Sequence, residues 1–184
     1  MKAKEDIINK IIKDNDYHAY LEIGYGNGYN FNRIKCDIKN ACDPNKNPYF
    51  IGDSDAFFDA HKDNVFDIVF IDGLHHAEQV RKDIINSIKQ LTENGAIVLH
   101  DSIPPSKSHQ VVPRKQTSWT GDVWKAVVGF KQSYPSVEVY TYRSDYGITV
   151  IKPNGKKVKK HFEKIEMTYE EFKSNEVELL NIID

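Results

Sequence analysis

The chain has 184 residues, 40% hydrophobic and 28% charged, with 10 Tyr and 9 Phe; this suits one globular domain with an aromatic core and excludes wholesale disorder. A net charge of -2 and a pI near 6.4 supply no basic excess to attract nucleic acid or an anionic membrane, so the expected partner is a small molecule. Cys36 and Cys42 have no neighbours at zinc-site spacing and read as reduced thiols in or near a core. The opening Met1 to Asp6 lacks the apolar stretch of a signal peptide, and no apolar run reaches the roughly 18 residues of a membrane span, so a cytoplasmic location is expected.

Taken in chain order, Ile7, Ile8, Ile11 and Ile12 place one apolar stripe on a helix within residues 1–18. Tyr20-Leu21-Glu22-Ile23 reads as a short buried strand that stops at the glycine loop Gly24-Tyr25-Gly26-Asn27-Gly28. Asn40-Ala41-Cys42 and Tyr49-Phe50-Ile51 are further short strands, ending at Asp43-Pro44 and Gly52-Asp53. The run Phe66 to Ile71 is apolar enough for a parallel strand covered on both faces. Ala77, Val80, Ile84, Ile88 and Leu91 then form the buried stripe of a helix ended by Asn94-Gly95, and Ala96 to Leu99 is the next strand, running into His100-Asp101. Strand, helix, strand predicts a right-handed parallel crossover.

Residues 102–118, with Pro104, Pro105 and Pro113, carry no apolar period and read as a lid or binding loop, or as disordered. Thr120 is expected to cap a helix bearing Val123, Trp124, Val127 and Val128. Val137 to Tyr142 and Gly147 to Ile151 predict an antiparallel hairpin, and Thr168 with Glu171 predicts a capping box on a last helix. The Lys156 to Lys160 run reads as a solvated surface.

Three glycines in five residues after a strand need a reason. Glycine lets the backbone turn tightly and lets a ligand approach the main chain, at an entropic cost that a merely structural loop seldom accepts three times. Asp43 follows Gly24 by 19 residues, the offset at which a carboxylate takes ribose hydroxyls in doubly wound sheets. On its own Asp43-Pro44 serves equally well as the start of a turn. The dinucleotide fingerprint Gly-x-Gly-x-x-Gly is absent, because the third glycine comes one position early.

The ordered set Leu21 to Gly28, Asp43-Pro44, Gly52 to Phe58, Phe66 to His75 and Val98 to Asp101 resembles the class I S-adenosylmethionine-dependent methyltransferases, and within them the small bacterial methyltransferase-domain proteins with a Phe-Ile-Asp-Gly-x-His element. The resemblance spans residues 20 to about 151. With the pattern above it implies a single α/β domain built on a Rossmann-like, seven-stranded, mostly parallel sheet with helices on both faces and a C-terminal antiparallel hairpin. An N-terminal helix (1–18) would precede a cofactor-binding core (19–152), with a lid loop at 102–118 and a helical tail at 153–184.

What the resemblance implies for the site is specific. Gly24, Gly26 and Gly28 would line the methionine and ribose portion of S-adenosylmethionine, Asp43 would hold the ribose, and Asp53 with Ser54 would lie beside the adenine. Glu22 would orient the loop or the cofactor amino group through water, or else be a strand-end carboxylate satisfied by backbone donors. Phe57 and Phe58 are expected in the core. Methyl transfer is an in-line displacement, so the protein must hold a nucleophile behind the methyl group and remove its proton. Asp72, His75, His76, His100 and Asp101 all fall just past two neighbouring strand ends.

Catechol-type methyltransferases hold a divalent metal at similar positions, which here are Asp72, His100 and Asp101; an imidazole in that set suits zinc, iron or manganese better than magnesium. Without a metal, Asp72 would contact the cofactor or position His75. Those enzymes have a catalytic lysine where this chain has His75, a competent base near neutrality and the expected general base, while His76 is expected to point elsewhere. Lys107, His109, Arg114 and Lys115 would meet an anionic group on the acceptor or simply be solvated; Trp119 and Trp124 would wall the acceptor pocket, Trp124 fitting the core better. The expected reaction is methyl transfer to a small-molecule hydroxyl, of sugar or natural-product type. The alternatives are an NAD-dependent oxidoreductase and a non-catalytic cofactor-binding module. The oligomeric state is open, a homodimer included.

Overall fold

The computed structural model describes residues 3–45, 49–159 and 161–183; Met1, Lys2 and Lys160 of the expectations above lie outside the described residues. Helix α1 (Lys4–Asn15) precedes strands β1 (Ala19–Ile23), β2 (Ile38–Asp43) and β3 (Phe50–Ile51). Then come α2 (Ser54–Ala60), β4 (Phe66–Ile71), α3 (Ala77–Lys89) and β5 (Leu91–Leu99). The chain continues through α4 (Val123–Ser133), the hairpin β6 (Glu138–Tyr142) and β7 (Ile148–Lys152), α5 (Tyr169–Leu180) and β8 (Ile182–Ile183). One sheet runs in the order β3-β2-β1-β4-β5-β7-β6-β8. Strands β1 to β5 are mutually parallel, and β7 lies antiparallel between β5 and β6.

Strand alternation divides the core in two. Leu21, Ile23, Val69, Ile71, Ile97 and Leu99 face α2, α3, α4 and α5, whereas Tyr20, Ile68, Phe70, Val98 and Val150 face α1 through Ile7, Ile8, Ile11 and Ile12. Helices therefore cover both faces. Order reverses at β1 and β4, so their carboxyl ends open a crevice of the kind in which doubly wound sheets bind ligands.

Three expectations are corrected. The sheet has eight strands instead of seven, because Ile182 and Ile183 pair in parallel with Thr141 and Tyr142 of β6; two residues after a helix carry no alternation by which to see this. Leu91 is not the last residue of the helical stripe. It pairs with Phe66 and opens β5, and the irregular register between Phe66 and Ile68 absorbs the exposed Glu93 and Asn94. Thr120 does not cap α4. Its hydroxyl donates to the carbonyls of His109 and Gly121, and the N-terminal position of α4 falls to Asp122. The capping box of Thr168 and Glu171 forms as expected.

Candidate functional site

Gly24, Gly26, Asp43, Asp53, Ser54 and Asp72 come together on one cleft of about 420 Å³, which Ile23, Cys42, Gly73, Leu74 and Gln79 help to line. Gly24 has φ of +96°, and a Cβ there would stand 2.2 Å from the Asp72 carbonyl oxygen, so the loop can cross the end of β4 only as glycine. At Gly26 a Cβ would meet nothing within 4 Å, so that stretch of backbone faces open space. Asp43 accepts from the Gly26 N–H at 2.9 Å and the Asn45 N–H at 2.8 Å, which ties the end of β2 to the loop.

Asp53 caps α2 by accepting from the Ala56 N–H. The Ser54 hydroxyl donates at 2.6 Å to Asp83, a buried carboxylate also reached by Gln79; burial pushes the Asp83 carboxyl up to about 6, against the pull of Ser54 and Gln79. Gly28 and Glu22 stand outside the cleft lining. Gly28 closes the loop by donating to the Tyr25 carbonyl. Glu22 lies on the α1 face of the sheet, fully buried and accepting from Tyr20 and Asn30.

At the mouth of β4 and β5 a second group of side chains converges. Asp72 receives the Lys4 ammonium at 2.6 Å on Oδ2, while His100 Nδ1 at 3.1 Å and His75 Nε2 at 3.3 Å approach its Oδ1. Asp101 Oδ2 lies 3.1 Å from His75 Nδ1 and 3.3 Å from His100 Nδ1, and Asp145 Oδ2 lies 3.3 Å from His100 Nε2. Asp101 reaches this position with φ of +62°, a conformation that few residues other than glycine hold without support.

Burial alone would lower the imidazole of His100, but Asp72, Asp101 and Asp145 overcome it and raise the group to about 11, leaving it a cation at neutral pH. Burial opposes His75 in the same way and is outweighed by Asp72 and Asp101, which raise it. Asp72, despite burial, is held well below the carboxylate range by His100, His75 and Lys4. The His75 ring stacks on Trp119 at 5.4 Å between centroids and 17° between planes.

Three known structures share this architecture. A candidate caffeoyl-CoA O-methyltransferase from Staphylococcus aureus matches at 17% identity over 83% of each chain, with a TM-score of 0.62. An O-methyltransferase from Bacillus cereus, solved with S-adenosylhomocysteine, matches at 11% identity over 81% of this chain and 80% of its own, with a TM-score of 0.60. The mycinamycin-pathway methyltransferase, solved with magnesium, S-adenosylhomocysteine and mycinamycin VI, matches at 15% identity over 84% of this chain and 51% of its own, with a TM-score of 0.58. Residues 44–102 match the family described as a methyltransferase domain. The chain has the fold of these methyltransferase structures. No curated protein sequence matches it.

The remaining expectations fall elsewhere in the fold. Residues 102–118 are described throughout and bonded into the fold: Ile103 N–H donates to Tyr146, Trp119 Nε1 to Val111, and Thr120 and Gly121 N–H to His109. Lys107 pairs with Glu170, and Arg114 donates to the Gln116 carbonyl of its own loop. Trp124 is core, stacked on Phe172, and Phe57 and Phe58 are core as well. His76 lines a different groove with Arg81, Lys125 and Lys164. Lys4 and Asp145, which no sequence motif marks, also join the cluster. Lys4 shares a helical face with Ile8 and Ile11, the one signal that would have placed it, whereas Asp145 sits in a hairpin turn whose pattern says nothing of its neighbours.

No helix among the described residues is long and apolar enough to cross a membrane.

Proposed function

We propose that this domain transfers a methyl group from S-adenosylmethionine to a hydroxyl oxygen of a small acceptor, with His75 as general base. The observation that carries the reading is the continuity of the glycine-lined cleft with the His/Asp cluster through Asp72, which belongs to both. In this reading Asp43 takes the ribose hydroxyls, the Gly24 to Gly26 backbone lies along the methionine portion, and Asp53, Ser54 and Gln79 meet the adenine.

S-adenosylmethionine, when bound, supplies an electrophilic methyl group: the S–CH3 bond breaks with its electron pair staying on sulfur, the acceptor's O–CH3 bond forms, and the acceptor's proton passes to the protein. His75 receives that proton at Nε2. Its Nδ1–H donates to the Trp119 carbonyl at 3.4 Å, which fixes the ring tautomer, and the carboxylates of Asp101, 3.1 Å from Nδ1, and Asp72, beside Nε2, stabilise the imidazolium that results. Trp119, stacked on the ring, limits how far it can turn.

Calorimetric titration with S-adenosylhomocysteine and with NAD tests the cofactor. Binding of the first is expected, and binding of NAD alone would overturn the reading. Labelled methyl transfer to a panel of sugar and phenolic hydroxyls tests the base. His75→Ala is expected to lose on the order of 10²-fold or more in rate while still binding S-adenosylhomocysteine; a variant as fast as the parent removes the role.

A further inference from the structure

The corner between Asp72 and Asp101 has the look of a metal site. Asp72, His75 and Asp101 offer ligand atoms within 4.8 Å of one another, and the mycinamycin-pathway structure carries magnesium. The donor set nevertheless does not fit a divalent ion. Asp72 Oδ2 is taken by the Lys4 ammonium at 2.6 Å, and His100 Nδ1 stands between the two carboxylates, 3.1 Å from Asp72 and 3.3 Å from Asp101. An entering ion would have to displace the Lys4 ammonium from Asp72 Oδ2 or the His100 imidazole from Oδ1, an imidazole that also faces Asp101 and Asp145.

We infer that Lys4, carried by the first turn of α1, is the resident cation of this corner and stands in the place of a divalent metal. The packing of α1 fixes it there. Lys4 precedes Ile8 and Ile11 by four and seven residues, so the stripe that buries against the sheet also aims the lysine stem at the end of β4. Its Nζ lies over the Phe70 ring, 5.6 Å from the centroid, and against Asp72. Burial would lower the ammonium, yet Asp72, Asp145 and Asp101 outweigh it and keep it charged.

Functionally Lys4 is a positioning residue. It holds Asp72 Oδ2, which leaves Oδ1 facing His75 and His100. The inference rests on the proposed reading for the identity of the reaction site and on geometry alone for the cation.

The test is a calorimetric Mn²⁺ titration of the chelator-treated full chain, with S-adenosylhomocysteine binding measured on the same sample. No saturable Mn²⁺ binding is expected below about 1 mM, and the melting temperature should be the same in chelator and in Mn²⁺. Lys4→Met should gain about tenfold or more in Mn²⁺ affinity, because it releases Asp72 and removes a like charge, and Lys4→Arg should behave as the parent. Saturable Mn²⁺ binding by the parent that Asp72→Asn abolishes overturns the inference, as does a folded Lys4→Met with unchanged Mn²⁺ affinity. Heat that survives Asp72→Asn comes from surface carboxylates and agrees with the inference. Should Lys4→Met fail to fold, the parent and Asp72→Asn titrations still decide. A missing S-adenosylhomocysteine signal would instead count against the cofactor reading and leave the metal result standing.

Discussion

Gly24 is the residue at which the cleft tolerates no side chain. Its φ of +96° and the Asp72 carbonyl 2.2 Å from a notional Cβ mean that Gly24→Ala must move either the loop or the end of β4. A loss of roughly 1–3 kcal/mol is expected, read as a lower urea midpoint together with weakened S-adenosylhomocysteine binding; an alanine variant that melts and binds like the parent would contradict the close approach. Glu22 carries a different prediction. Burial lifts its carboxyl from 4.5 to about 7, against the pull of Tyr20 and Asn30. The folded chain thus holds this proton more tightly than the unfolded chain. The stabilisation is complete below about 4.5 and is lost as pH rises through about 7, a difference on the order of 3 kcal/mol. Glu22→Gln keeps the hydrogen-bond acceptor without the charge, so its stability relative to the parent should grow between pH 5 and pH 8, and a constant difference across that range would refute the cause. The glycines and Asp43 were legible because their residue types are costly or unusual at those spacings. Strand alternation sets Glu22 on the face opposite Leu21 and Ile23, where Tyr20 and Asn30 meet it, although it stands next to the loop in sequence.

Among the elements, α3 depends on a neighbour for its start. His76 precedes it without capping it, and Asp122, just before α4, accepts from the Ala77 N–H at 2.7 Å while its own N–H donates to the His75 carbonyl. Asp122→Ala should therefore cost about 1 kcal/mol through the lost cap, measured by thermal melting, and Asn at the same position should recover much of it. An unchanged melting temperature in the alanine variant would mean that solvent caps the helix as well. Gly121, with φ of +60° and a notional Cβ 1.8 Å from the His75 carbonyl, makes the same approach from the backbone side. The sequence disclosed the existence of both helices through the apolar spacing of Val80 and Ile84, and of Val127 and Val128. It did not disclose that one helix caps the other, because a cap donated across 45 residues leaves no local pattern. Leu91 continues the helical spacing of α3, and only its pairing with Phe66 assigns it to β5.

Across the whole molecule, the order of the parallel strands does the positioning. Reversal at β1 and β4 opens the crevice, β2 brings Asp43 to one side, and β4 and β5 deliver Asp72, His100 and Asp101 to the other. That arrangement was readable from strand ends that each carry a carboxylate. The closing of the cluster from above by Asp145 and from the far face by Lys4 was not, since both arrive through tertiary packing of the hairpin and of α1. The central claim is that one cofactor spans from the α2 end of the cleft to Asp72, beside His75. A crystal structure of the chain with S-adenosylhomocysteine tests it most directly. The expected result puts the adenine against Asp53 and Ser54, the ribose hydroxyls on Asp43 and the sulfur on the Asp72 side facing His75; a ligand bound elsewhere, or with its sulfur turned away from the His/Asp cluster, would contradict the account.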